Sequence, residues 1–162
     1  METLALADVV VAGYEKEAAL YRRFLAVAQA IEKRLVAGEV ERAQGLLADQ
    51  AELTSAIDQC NEAIEPLRRQ LAACYGHPDL SMGLLSTLSQ APPPLARAGE
   101  AMRQVAELIK HLAAAFDRNQ RLLRERLGAV RSEQAALSRG RSAVEAYRAI
   151  APTDPRFVDR RS

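Results

Sequence analysis

The feature that most constrains this chain is a pair of interleaved seven-residue repeats between residues 40 and 75. The first series is Ala43, Gln50, Ile57, Ile64 and Leu71, and the second is Leu46, Leu53, Cys60, Leu67 and Cys74. This spacing places both series on one face of an α-helix, the face that packs against a neighbouring helix. We therefore predict one helix over residues 40–75, with both cysteines buried. We expect a kink near Pro66, because proline removes a backbone hydrogen bond and clashes with the preceding turn.

Two further segments have helical periodicity. The first covers residues 4–37 and ends at Gly38, with Glu17 as the one interruption of its apolar spacing. The last covers residues 95–147, and one of its heptad series stays apolar throughout: Met102, Ile109, Phe116, Leu123, Val130, Leu137 and Val144. The companion series contains Val105 and Leu112 but turns polar at Asn119. The second half of this segment therefore carries only a narrow line of apolar side chains.

Helix length leads to the same part of the chain. At 1.5 Å per residue the last helix would be roughly 80 Å long and each of the others roughly 50 Å. About 20 residues, beginning near Val130, would then have nothing to pack against. Either the chain bends at Gly128 or Gly140 and folds back, or the apolar line from Val130 to Tyr147 binds a partner.

The composition favours an all-α fold. Aromatic residues make up 4% of the chain and Trp is absent, so the core must be aliphatic, and alternating apolar-polar stretches are hard to find. We predict an antiparallel bundle of three long helices, with a short extra helix in the middle loop and an extended C-terminal helix. The expected organisation is a bundle over residues 1–147, made of a helical hairpin (1–75), a loop (76–94) and the long helix (95–147), followed by a flexible tail (148–162).

Several classes of protein are excluded by what the sequence lacks. No apolar stretch approaches the roughly 18 residues of a transmembrane helix, and the first residues have no basic region typical of a secretory signal. We therefore expect a cytoplasmic protein that does not insert into membranes. The two histidines, His77 and His111, have no metal-ligand spacing, and no phosphate-binding or nucleophile motif occurs. We expect no enzyme activity, no metal and no cofactor.

The C-terminal third is basic. From Arg118 onwards the chain has eleven arginines against five acidic residues. These arginines could form a solvated helix face, contact nucleic-acid phosphates, or attract an acidic protein surface. The sequence argues against nucleic acid, because only Tyr147 and Phe157 could stack on bases in this region.

Three short motifs accompany this layout of two long helices, a loop and a long C-terminal helix. The first is L-x-x-G-E-x6-L-L, present as Leu35–Glu39 followed by Leu46 and Leu47. The second is the stretch 117–123, Asp-Arg-Asn-Gln-Arg-Leu-Leu, and the third is Tyr147 at the end of the last helix, followed by a proline-containing tail. The layout and the motifs resemble the FlgN-type flagellar export chaperones, although Asp117 and Gln120 depart from the doubled asparagines of that family's N-x-x-N-x-x-L-L-like segment.

The resemblance implies a function. Such chaperones bind the hook–filament junction (hook-associated) proteins in the cytosol before type III export, and they protect the partner's disordered terminal helix. They use their C-terminal part, which implies partner-binding positions at Asn119, Leu122, Leu123, Leu127, Val130, Leu137, Val144 and Tyr147. We expect Arg124, Arg131 and Arg141 to steer an acidic partner or a component of the export machinery. The alternatives are a structural coiled coil that homodimerises through the same residues and, more weakly, an Arg-rich nucleic-acid binder.

Overall fold

The computed structural model describes residues 2–76 and 93–150. They form four helices: α1 (Glu2–Val36), α2 (Val40–Gly45), α3 (Leu47–Cys74) and α4 (Pro93–Ile150). No strand occurs in these two ranges, and the all-α prediction is confirmed. α4 begins two residues before its predicted start and ends three residues beyond Tyr147. The predicted short helix in the middle loop and the tail beyond Ile150 lie outside the described residues.

The segment predicted as one helix over residues 40–75 is two helices separated at Leu46. The Leu46 amide donates to the carbonyl oxygen of Ala43 at 3.1 Å, a tighter turn than the α-helical pattern. The break directly follows Gly45, and glycine is the poorest helix former after proline. Pro66, in contrast, lies within α3. Because Pro66 is exposed, the backbone carbonyl that loses its donor there can be hydrated.

The turn between α1 and α2 explains the first short motif. Gly38 has a φ of 79°, a left-handed conformation that favours glycine. The Gly38 amide donates to the Leu35 carbonyl at 3.1 Å, and the Glu39 amide donates to the Arg34 carbonyl at 2.9 Å. This pair of bonds is the Schellman arrangement that ends a helix. The Glu39 carboxylate also pairs with Arg34 at 2.6 Å and with Arg42 at 3.0 Å, which ties the turn to both helices.

α1, α3 and the first part of α4 form the bundle, running up, down and up. Ion pairs between α1 and α4 join Asp8 to Arg97 near one end and Glu32 to Arg118 near the other, so these two helices are parallel. α3 runs antiparallel to α1. The apolar residues between the helices form three clusters, centred on Val10 and Leu71, on Phe24 and Ile57, and on Ile31 and Leu35. Most of their buried members are aliphatic, but Tyr14 and Phe24 are aromatic exceptions to the predicted aliphatic core.

Gly13 marks a close approach of α1 and α3. A Cβ atom at this position would lie 2.7 Å from Cγ1 of Ile64, closer than such atoms can pack. The thiol of Cys60 also reaches the Gly13 carbonyl oxygen at 3.7 Å.

Cys60 is buried as predicted, whereas Cys74 is exposed and its predicted burial is wrong. Cys74 lies in the last turn of α3, beyond Leu71 and Ala72, where the buried face of the helix ends.

The chain divides into two compact units, Met1–Leu122 and Leu123–Ser162. In the first unit, the buried face of α4 includes the companion heptad series: Val105, Leu112 and Asn119 are all buried. Ile109, in the heptad series that stays apolar, is instead 43% exposed, and it lines a cavity that is open to solvent. In the second unit every described side chain, from residue 123 to residue 148, is exposed.

Candidate partner-binding surface

Six large side chains form an apolar surface on the second unit, which we call the C-terminal stripe. Their exposed fractions range from 39% to 78%, and they are Leu123, Leu127, Val130, Leu137, Val144 and Tyr147. Successive members are separated by four, three, seven, seven and three residues. These steps keep all six on one side of an α-helix. An exposed, continuous apolar line of this kind is typical of an interaction surface.

The energetic consequence of this exposure is large. Burying an aliphatic side chain completely is worth about 1.5–3 kcal/mol relative to leaving it in water. The C-terminal stripe contains five Leu and Val side chains that are 39–73% exposed, so each gains only part of this burial free energy from contacts within the described residues. A helix that covered the stripe would gain much of it, less the cost of ordering both surfaces.

Gly140 opens a shallow depression within the C-terminal stripe. A Cβ atom added at Gly140 would meet no other atom within 4 Å, so the space beside the backbone is open. Glycine inside a helix costs roughly 1 kcal/mol relative to alanine. In return, a side chain from another molecule can approach the backbone between Leu137 and Val144. The remaining residues around this depression are Ala136, Arg141, Glu145 and Arg148.

The second unit also has a positive charge. Residues 123–148 contain six arginines and three glutamates, a net charge of +3, and all nine side chains are exposed. Arg124, Arg131 and Arg141 form no ion pair with another described residue. Their field is therefore available to attract an acidic surface, which speeds association more than it adds affinity.

Two of the eight predicted partner-binding residues lie in the bundle. Asn119 is 5% exposed, and its Nδ2 donates to the Ala28 carbonyl oxygen at 2.9 Å. Its Oδ1 is buried without a hydrogen-bond partner among the described residues. Leu122 packs on the cluster that contains Ile31 and Leu35. The structure therefore brings Asn119 and Leu122 together with α1, and it places the other six on the C-terminal stripe.

Arg118 completes the contacts of the second short motif. Its Nε donates to both carboxylate oxygens of Glu32 at 3.2 Å. Arg118, Asn119 and Leu122 thus hold α4 against the last two turns of α1. These three residues of the second motif therefore have a structural role in the first unit.

Sequence reasoning did not find a cavity between α1, α3 and α4 that contains the side chain of Glu17. The signal was present, since Glu17 interrupts the apolar spacing of α1. A charged residue on the inner face of a bundle helix indicates an unusual environment.

The described residues contain neither a cluster of metal ligands nor a helix that could span a membrane. In ranges 2–76 and 93–150, no group of three or more His, Cys, Asp or Glu side chains could hold a metal ion. None of the helices described there combines the length and the apolarity that crossing a membrane requires.

A comparison with models of protein families gives a match to this chain. The model of the FlgN protein family matches residues 1–151, which is nearly the whole chain. Comparisons with curated proteins and with solved structures gave no match.

Proposed function

The chain belongs to the FlgN family of flagellar export chaperones, and from this membership we propose that it binds hook-associated proteins in the cytoplasm before type III export. The proposed role is binding without catalysis. The observation that carries the proposal is the C-terminal stripe, an exposed apolar line on a part of α4 that has a net charge of +3.

The proposed mechanism is capture of one helix by another. The partner's C-terminal segment would fold as an amphipathic helix and lay its apolar face on the C-terminal stripe. Folding on binding costs conformational entropy, so the captured segment is held reversibly and can be released for export. Arg124, Arg131 and Arg141 would orient a partner helix that carries acidic side chains beside its apolar face.

The surface supports a protein partner better than a nucleic acid. Tyr147 is the only aromatic residue between positions 123 and 148, so bases would find no stacking platform. The exposed Leu and Val side chains would gain nothing from contact with phosphates. Their burial against an apolar helix is the interaction that this composition favours.

Substitution within the C-terminal stripe tests the proposal. Val144→Asp should weaken binding of the hook-associated protein's C-terminal peptide by about tenfold or more, because a carboxylate buried against an apolar helix is costly. Isothermal titration calorimetry measures this affinity, and the melting temperature should hardly change. The matched control is Ser142→Asp, which adds the same charge two residues away and off the stripe. Equal binding by both variants would refute the assignment of the stripe.

Hydrogen exchange gives a second readout of the same surface. In the free protein, amides between Val130 and Tyr147 should exchange faster than those around Leu112, because no described side chain in that part of α4 is buried. They should gain protection when the partner peptide binds. Equal protection in the free monomer would mean that this part of α4 is already packed.

The alternative use of the C-terminal stripe is self-association. Sedimentation distinguishes the two cases: a dimer that Leu137→Asp converts to a monomer would assign the stripe to a homodimer. A tight dimer that Leu137→Asp leaves intact would place the dimer interface elsewhere.

A further inference from the structure

A cavity of about 270 Å³ lies in the first unit, where α1, α3 and α4 meet. Its apolar lining includes Ile64 of α3 and Met102 and Val105 of α4, and Ile109, which is partly exposed, also lines it. The cavity is open to solvent on one side, since Ile109, which lines it, is 43% exposed. The space is large enough for a small organic group.

Glu17 is the unusual member of the lining. Its side chain is 4% exposed, and its carboxylate forms no hydrogen bond or ion pair with any residue that the structure describes. Burial raises the pKa of this carboxyl group. A carboxylate in such a position is costly to the fold, because it loses much of its hydration and gains no described counter-charge in exchange. An apolar side chain at position 17 would suit the bundle better.

The nearby cation does not compensate Glu17. Arg68 lines the cavity, but its Nη2 lies 2.7 Å from one carboxylate oxygen of Glu65 and donates a hydrogen bond to the other at 2.9 Å. Glu65 in turn also pairs with Arg69 at 2.9 Å. These charges form their own network. Among the described residues, the Glu17 carboxylate therefore has no cationic partner, whereas Glu65, which also lines the cavity, has two.

We propose that this cavity binds a primary alkylammonium group, with the ammonium on the Glu17 carboxylate and the aliphatic chain against Met102, Val105 and Ile109. A positively charged donor satisfies a mostly buried carboxylate through a charge-assisted hydrogen bond, which is stronger than a hydrogen bond between neutral groups. The bundle already holds the acceptor in place, so binding needs little reordering. The chemistry is that of a lysine side chain or of a free alkylamine. The site lies in the first unit and is independent of the C-terminal stripe.

The test uses the whole protein, n-butylammonium chloride as the probe and 1-butanol as its neutral counterpart. Titration followed by amide chemical shifts should show saturable changes around Glu17 and Ile109. Affinity for a ligand of this size is expected in about the millimolar range. Butanol should bind at least about tenfold more weakly, because it lacks the charge. Equal binding of the two probes would overturn the proposal, as would the absence of saturable shifts with n-butylammonium.

Two substitutions test the contribution of the carboxylate and that of the cavity space to binding separately. Glu17→Gln keeps the shape and removes the charge, and it should weaken n-butylammonium binding by about tenfold. Glu15→Gln, an exposed site two residues away on α1, is the matched control and should bind as the unsubstituted protein does. Ala106→Leu fills the cavity and should abolish binding while Glu17 remains. Unchanged binding in Glu17→Gln or in Ala106→Leu would overturn the proposal.

A further probe identifies the source of the ammonium group. If Nα-acetyl-lysine amide binds as n-butylammonium does, the cavity accepts a lysine side chain of a protein. If only n-butylammonium binds, the peptide backbone is excluded and the ligand is a free alkylamine. Either result supports the alkylammonium site, and loss of both in Glu17→Gln confirms the role of the carboxylate.

Discussion

The two parts of α4 share one apolar heptad series but have opposite environments. In residues 93–122, large apolar side chains such as Val105 and Leu112 are buried against α1 and α3. In residues 123–148, Leu137 and Val144 are mostly exposed. The first part has two neighbouring heptad series on its inner face, whereas the second has one. The comparison shows that the width of an apolar face governs whether a helix is covered by its own chain, since a narrow line can contact only one neighbour.

The largest expected effect is a difference in stability between two Leu→Ala substitutions, one in each part of α4. Leu112→Ala should lower the free energy of unfolding by about 2–5 kcal/mol, because it leaves a cavity beside Phe24 and Ile57. Leu137→Ala removes the same atoms from an exposed position and should stay within about 0.5 kcal/mol. Denaturant unfolding monitored by circular dichroism measures both. Similar losses in the two variants would mean that the second part of α4 is also packed in solution.

An intermediate effect is expected at Asn119, close to where the buried part of α4 ends. Asn119→Asp should cost about 1–3 kcal/mol at neutral pH, because a carboxylate beside the Ala28 carbonyl places two acceptors together in a buried position. Asn119→Leu should be close to neutral, since it also removes the unpartnered Oδ1. The same unfolding measurement applies. If the Leu variant is as unstable as the Asp variant, the amide contact contributes more than its single hydrogen bond indicates.

The smallest effect is a pH dependence that comes from the buried carboxyl group of the first unit. Burial raises the pKa of Glu17, so the folded state holds this proton more tightly than the unfolded state. The stability of the protein relative to Glu17→Gln should therefore fall as the pH rises from the ordinary carboxyl value of 4.5 through the raised pKa of the folded state. The difference between the two proteins is the quantity to measure, because Glu65 and Glu107 have lowered pKa values and act in the opposite direction.

The exposed Glu145 of the second unit provides the matched substitution for this measurement. Unfolding of Glu17→Gln and Glu145→Gln is compared across the acidic range in the same buffers. A pH-dependent difference between the protein and Glu17→Gln that has the opposite sign would show that Glu17 is stabilised in its ionised form. A counter-charge would then have to reach it in the folded protein.

Much of the fold follows from periodicity. The seven-residue repeats predicted the helices, Gly38 predicted the end of the first one, and the counting of helix lengths predicted an unpaired stretch of α4 from about Val130. The exposed part begins at Leu123, somewhat earlier. The helix α1 ends at Val36. The apolar cluster at that end, formed by Ile31, Leu35 and Ala43, contacts Leu122 of α4.

Other features required the packed structure. Asn119 looked like the start of a polar face, yet it is buried against α1, where the Ala28 carbonyl, 91 positions away in sequence, accepts its hydrogen bond. Ile109 looked like core, yet it lines a cavity. Periodicity depends on residues three or four positions apart, and for this chain it was sufficient to define helices and their apolar faces. Which of those faces are covered, and where a carboxylate such as Glu17 is enclosed, depends on contacts between residues far apart in sequence, which local spacing does not encode.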